Sequence, residues 1–157
     1  MSKNTVNYVP EGRNSVTPYL IVSNATQAID YYKKVFGATE LMRMNAPDGK
    51  VGHAELRLGD SVIMLADENA ALGNRSAESI GASPVSLYVY LPDVDKTFEK
   101  AIAGGAKVLK PVEDQFYGDR SGFLRDPFGH LWGLATHKED LSAHEIEQRM
   151  KKLQPAA

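Results

Sequence analysis

The chain reads as an α+β protein built from two β-α-β-β-β modules, and three observations carry that reading. The first is a strand, cap, helix and glycine stop in Thr17–Gly37, TPYLIVSNATQAIDYYKKVFG. The second is the period-two alternation of Gly52–Leu58, where His53, Glu55 and Arg57 interleave with Ala54, Leu56 and Leu58. The third is an internal repeat. Ser86, Tyr88 and Phe98 stand 69 residues beyond Thr17, Tyr19 and Ile29, and Trp132 and Leu134 stand 69 beyond Ile63 and Leu65. A period of that length, with element types in the same order, means two structural modules in one chain.

Residues 1–15 read as an arm with turn residues at Pro10, Glu11 and Gly12. A strand over 17–22 follows, rich in β-formers. Asn24 suits the N-cap of a helix over 25–36, and Gly37 suits its stop. Ala28, Ile29, Tyr32 and Phe36 give that helix one apolar face, and Lys33 and Lys34 in its last turns suit the helix dipole. Strands are expected over 39–44, 52–58 and 61–66, joined by a Pro47-Asp48-Gly49 turn and a Gly59-Asp60 turn. Residues 68–84 read as a linker, with a helical turn at Ala70–Leu72.

The second module has a strand over 85–91, a helix over 94–103 capped by Asp93, and strands over 107–112, 120–125 and 130–136. Carrying the offset of 69 through it aligns Gly122 and Leu124 with His53 and Glu55. A last helix over 141–152 opens with the capping box Ser142-Ala-His-Glu145 and has a thin apolar stripe of Ile146 and Met150. It is either docked on its own domain or a dimer contact. The expected organisation is an arm (1–15), one domain (16–140, with modules 16–67 and 85–137) and a C-terminal helix and tail (141–157).

A length of 157 residues suffices for a real core, and 43% apolar with 24% charged residues is ordinary for a globular protein. The net charge of −2, with mixed signs, gives no electrostatic footprint for nucleic acid. No apolar run approaches the roughly 18 residues of a membrane helix, so no membrane partner is expected. There is no cysteine, hence no disulfide or thiol chemistry. The polar opening MSKNTVNYVPEGRNS has no apolar signal core, which points to the cytoplasm.

Three stretches, TPYLIVSNATQAIDYYKKVFGA, GHAELRLGDSVIMLADE and EDQFYGDRSGFLRDPFGHLWGLATH, resemble the vicinal oxygen chelate superfamily. This is the glyoxalase, bleomycin-resistance and extradiol-dioxygenase group, and the likeness is nearest to its PhnB-like, glyoxalase-like branch. It covers about Val16 to Asp140. It implies a curved mixed sheet, each module giving half of a cup, with the helices outside and a small-molecule ligand inside. It also implies a homodimer. Metal-dependent members place one ligand on the first and one on the last strand of each module, which here gives Thr17, Met64, Ser86 and Gly133. None of these is a usual ligand for a divalent ion. No metal and no cofactor are therefore expected, and the chain does not read as a typical metal-dependent glyoxalase I or extradiol dioxygenase.

The resemblance and the strand alternation together choose the candidate site. Tyr19, Tyr88 and Tyr90 fall on the inward face with Met64, where they either stack on a planar ligand or simply line the cup. Packing Ala54, Leu56 and Leu58 under the helix leaves His53, Glu55 and Arg57 inward. His53 and Glu55 are an acid–base pair or a polar pair that holds the sheet together. In the loop Gln115–Arg120, Tyr117 lies at the rim, and Arg120 either binds an anionic group or ties to Asp119 or Glu113. His130 reads as structural, Trp132 as core and His137 as a surface residue. Two functions stay open: binding a small, planar, partly apolar molecule, or lyase or isomerase chemistry through His53 and Glu55.

Overall fold

The computed structural model describes residues 6–153, so residues 1–5 of the expected arm and 154–157 of the expected tail lie outside the described residues. The chain divides between Ile80 and Gly81 into two compact units. Each contains one four-stranded mixed sheet with a helix on one face, which makes the fold α+β.

In the first unit, β1 (Tyr19–Val22) leads to α1 (Ala25–Phe36), then β2 (Thr39–Asn45), β3 (Val51–Leu58) and β4 (Ser61–Asp67). The sheet order is β1-β4-β3-β2, with β1 parallel to β4 and the other pairs antiparallel. β1 begins two residues later than the β-forming run, because Pro18 has no N–H to give. Its carbonyl still accepts from Met64 N at 2.8 Å. Pairing puts Leu20 beside Leu65, and Leu65 beside Ala54. With Val22, Leu56 and Ile63 these residues are buried on the α1 side, opposite the buried helix residues Ala28, Ile29 and Tyr32. Burying a side chain of that size is worth roughly 1.5–3 kcal/mol, which is what fixes the register. After β4, the expected linker holds a 3₁₀ turn (Ala70–Leu72) and a short helix, α2 (Ala77–Ile80).

The second unit repeats the order with β5 (Ser86–Tyr90), α3 (Val94–Ala103), β6 (Lys107–Asp114), β7 (Asp119–Arg125) and β8 (Leu131–His137), as a sheet β5-β8-β7-β6. Helix starts are built alike in the two units. Asn24 Oδ1 accepts from Gln27 N, and Asp93 Oδ1 from Lys96 N, both at 3.0 Å. Asp67 Oδ1 accepts from Ala25 N at 2.7 Å, and Thr136 Oγ1 from Val94 N at 2.9 Å. Each pair is 69 residues apart, so the repeat extends to the atoms that satisfy the first helical N–H groups.

The repeat is not uniform, and this corrects one expectation. Gly122 and Leu124 do not share a face with the tyrosines of β5. Gly122 pairs with Leu134 and Leu124 with Trp132, on the α3 side, and a Cβ on Gly122 would meet the Phe98 ring at 2.9 Å. The matching turn is the cause. Leu58 pairs with Ser61 across two residues, whereas Arg125 pairs with Leu131 across five. Arg57, paired with Val62, thus corresponds to Arg125 at an offset of 68, while β8 keeps 69. A one-residue change of offset moves every side chain of β7 to the other face. Asp126 occupies that longer turn and is buried. Its Oδ1 accepts from Phe128 N and His130 N, and its Oδ2 from Trp132 Nε1, all at 2.9 Å.

Helix α4 (Ala143–Leu153) starts with the expected capping box. Ser142 N donates to Glu145 Oε2 at 2.8 Å, and Glu145 N to Ser142 Oγ at 3.3 Å. None of its described residues is buried.

Candidate functional site

In the first unit, the face away from α1 carries Tyr19, Met42, Met44, His53, Glu55, Arg57 and Met64, as the register dictates. A hydrogen-bonded chain crosses it. The Tyr19 hydroxyl lies 2.8 Å from His53 Nδ1, and His53 Nε2 lies 3.4 Å from Glu55 Oε1. With the ring proton on Nε2, the hydroxyl donates to Nδ1 and the imidazole donates to the carboxylate. Glu55 is only 7% exposed and its other oxygen is bound by the Arg13 guanidinium. Burying a carboxylate requires such a cation or hydrogen-bond donors. The arm continues over Arg57, whose Nη2 would lie 3.4 Å from a Cβ on Gly12. Tyr19 remains 47% exposed, and burial of its inner part raises its hydroxyl above the usual phenol value.

In the second unit, the face away from α3 carries Tyr88, Tyr90, Asp119, Ser121, Phe123, Gly133 and His137. Its centre is Asp119, 5% exposed. Asp119 Oδ1 lies 2.7 Å from His137 Nδ1, and Oδ2 accepts from the hydroxyls of Tyr90 at 3.1 Å and Tyr88 at 3.5 Å. His137 Nε2 lies 2.9 Å from Asp140 Oδ1. A carboxylate on each ring nitrogen asks both to donate, so the Asp119 bond first, then Asp140, raises the His137 pKa. Burial first, then Asp119 for Tyr90, pushes both tyrosine hydroxyls up. The Tyr88 ring meets Tyr90 edge-on at 5.4 Å and Phe123 at 6.0 Å between centroids, while Tyr88 and Tyr90 stay 41% and 62% exposed. The Tyr117 hydroxyl reaches Ser121 Oγ at 3.2 Å.

Gly118 sets Asp119 in place. Its φ of 98° is left-handed, and a Cβ there would sit 2.5 Å from Glu139 O.

Tyr19, His53, Glu55, Arg57 and Met64 thus share one face, and Tyr88 and Tyr90 another, with Tyr117 reaching it. Arg120 shares neither. It lies on the α3 side, forked onto Asp95 at 2.7 Å by Nε and Nη2 and bound to Asp114 at 3.2 Å. These bonds, Asp95 first, raise its pKa and occupy its donors. Its partners differ from Asp119 and Glu113 because β7 is turned over by one residue. The same parity change hid Asp119, Ser121 and Phe123 as face residues, and Arg13 lay in an arm without periodicity. A cleft of about 440 Å³ beside Asp119 and Arg149, and one of about 510 Å³ beside Glu68 and Arg75, have no aromatic lining.

Comparison with known proteins decides the family. A model of the Glyoxalase/Bleomycin resistance protein/Dioxygenase superfamily matches residues 12–134. The chain belongs to that superfamily. An uncharacterised protein of Mycobacterium bovis is 40% identical over 139 residues, covering 87% of this chain and 91% of its own. Among solved structures, TioX from Micromonospora sp. superposes with a TM-score of 0.61 at 26% identity, covering 82% of this chain and all of its own. The PhnB protein from Bacillus cereus gives 0.63 at 23%, covering 78% and 99%, a likeness of fold.

The four positions that the resemblance assigns to metal ligands carry no donor set for a divalent ion. Thr17 and Met64 offer a hydroxyl and a thioether, and Ser86 another hydroxyl. Gly133 offers nothing, and a side chain there would displace the Tyr88 and Phe123 rings: a Cβ would meet Tyr88 Cδ2 at 2.5 Å and Phe123 Cε1 at 2.9 Å. Among the described residues, no cluster of three or more His, Asp or Glu is arranged for a metal ion. No described helix is long and apolar enough to cross a membrane.

Proposed function

We propose that this protein binds a small, planar, partly apolar molecule against the tyrosines of its open sheet faces, without a metal. One observation carries the reading. Tyr19 and Tyr88, one repeat apart, stand about half exposed on the faces turned from the helices, and the Tyr88 ring fills the space over Gly133. Exposed rings beside buried, hydrogen-bonded polar groups are the usual composition of a small-molecule site. Calorimetric titration with quinoline tests it. The expected result is saturable binding that weakens at least ten-fold in Tyr19→Ala plus Tyr88→Ala, and undiminished binding in that variant would sink the proposal. Homodimerisation belongs to the same reading and is checked by sedimentation of the full chain. A cytoplasmic place of action belongs to the same reading, and cell fractionation checks it.

A second reading is favoured by the Tyr19–His53–Glu55 chain. It would pass a proton between a bound carbon acid and His53, as in lyase or isomerase chemistry. Hydrogen–deuterium exchange of methylglyoxal–glutathione adduct protons, present in the native chain and lost in His53→Gln, is the outcome it requires.

A further inference from the structure

We infer that the molecule bound on the second unit's face carries a cationic nitrogen, held by Tyr88, Tyr90 and Phe123 with Asp119 behind them. This rests on the binding reading above and names the ligand's charge. Three observations converge. First, a cation already sits on this surface: Lys110 Nζ lies 5.6 Å from the Phe123 ring centroid, within cation–π range. Second, Tyr90 donates its hydroxyl proton to Asp119 Oδ2 at 3.1 Å, and the Tyr88 hydroxyl lies 3.5 Å from the same oxygen. The Tyr90 oxygen can then only accept, and a phenol bonded to a carboxylate has an electron-rich ring, which favours donors and cations. Third, two carboxylates, Asp119 and Asp140, share the one histidine behind the rings, while Arg125 stands on the same face beyond Phe123. That histidine, His137, brings one positive charge to the two carboxylates and brings none once it loses its proton.

The first unit makes the contrast. There Arg13 is bound to Glu55, so the buried carboxylate is already paired with a full cation. A planar aromatic cation fits the second face because its apolar plane stacks on the rings while its charge lies over them. The pull of exposed cation–π contact is about 0.5–1 kcal/mol per ring, and two or three rings together give a ten-fold preference or more.

The test uses the full chain and two probes of equal shape, quinoline and N-methylquinolinium, titrated in mildly alkaline buffer where quinoline is neutral. The expected result is at least about ten-fold tighter binding of N-methylquinolinium. Equal binding of both would overturn this inference and leave the binding reading standing. Binding of neither would overturn both. Asp119→Asn is expected to bring the preference down to about two-fold while quinoline still binds. Asp119 is buried, so the surface variant Lys110→Gln carries the test independently of folding. It frees the Phe123 ring, and N-methylquinolinium should bind about three-fold tighter with quinoline unchanged. No gain, or an equal gain for both probes, overturns the inference.

Discussion

The two units share a plan down to their helix caps, yet they place a histidine and a carboxylate in opposite ways. In the first unit, His53 faces one hydroxyl and one carboxylate, and a single ring proton satisfies both contacts. In the second, His137 faces two carboxylates, and both contacts are made only by the imidazolium. The buried carboxylate differs too. Glu55 relies on Arg13, which belongs to the arm and lies 42 residues away in sequence. Asp119 relies on its own sheet, through β5 and β8. A duplicated scaffold has thus kept the atoms that start its helices and diverged in the atoms on its open faces. Helix starts answer to folding alone, whereas open faces are free to take up different chemistry.

Removing the carboxylates should break the comparison most visibly. Asp119→Ala leaves His137 and two tyrosine hydroxyls without their common acceptor. It should cost about 3 kcal/mol in denaturant unfolding, near the lower end for breaking a buried pair. Glu55→Ala should cost less, about 1–2 kcal/mol, because the arm can withdraw and leave Arg13 hydrated. If the Glu55 loss matched or exceeded the Asp119 loss, the arm would have to be part of the core. Gly133→Ala comes next. The added methyl overlaps Tyr88 and Phe123, and overpacking of that kind costs about 1–3 kcal/mol. Met64→Ala, at the matching place in the first unit, removes a half-buried side chain and should cost about 1 kcal/mol without moving Tyr19. Urea melts separate the two, and a shifted Tyr88 ring resonance in Gly133→Ala alone would confirm their different causes.

Most of the scaffold was legible in the sequence, because periodicity, caps and turn residues act locally and repeat. Asn24, Asp93, Gly37 and the Ser142–Glu145 box each signal their position without knowledge of the rest of the chain. The first face was legible for the same reason, since His53, Glu55 and Arg57 alternate with a strongly apolar set. The second face was less so. Its strand β7 reads Asp-Arg-Ser-Gly-Phe-Leu-Arg, with no clean alternation, and its parity hangs on a turn longer than its counterpart. Had Ala54 been matched to Gly122 as the small residue under a helix, Asp119, Ser121 and Phe123 would have fallen on the tyrosine face. The Arg13–Glu55 pair leaves no periodic trace, because a contact between an irregular arm and a strand is set by tertiary folding.

pH should sharpen the comparison at His137. Asp119 and Asp140 raise the His137 pKa in the folded state, so the folded protein binds that proton more tightly than the unfolded chain. The resulting stability is fully present below the ordinary imidazole value of about 6.5. It is lost as pH rises through the raised value. Unfolding midpoints should therefore decline across that window in the native chain, and His137→Gln should flatten the decline. NMR titration of the His137 ring protons gives the direct reading, with a midpoint above the ordinary imidazole value.

The smallest effect is expected at the C-terminal helix. Its described residues bury nothing, and Met150 and Leu153 stay exposed. Its tie to the second unit is an exposed pair, Arg149 Nη1 to Glu139 Oε2 at 2.6 Å. Surface pairs of this kind contribute about 0–1 kcal/mol. Ending the chain after Asp140 should thus lower the unfolding free energy by under about 1 kcal/mol and leave the His137 titration in place, since Asp140 is retained. A loss above about 2 kcal/mol would mean that α4 does rest on the sheet, and the second unit would then depend on an appended segment as the first depends on its arm. The same truncated chain, run beside the full one in sedimentation, reports whether the helix serves self-association instead of folding.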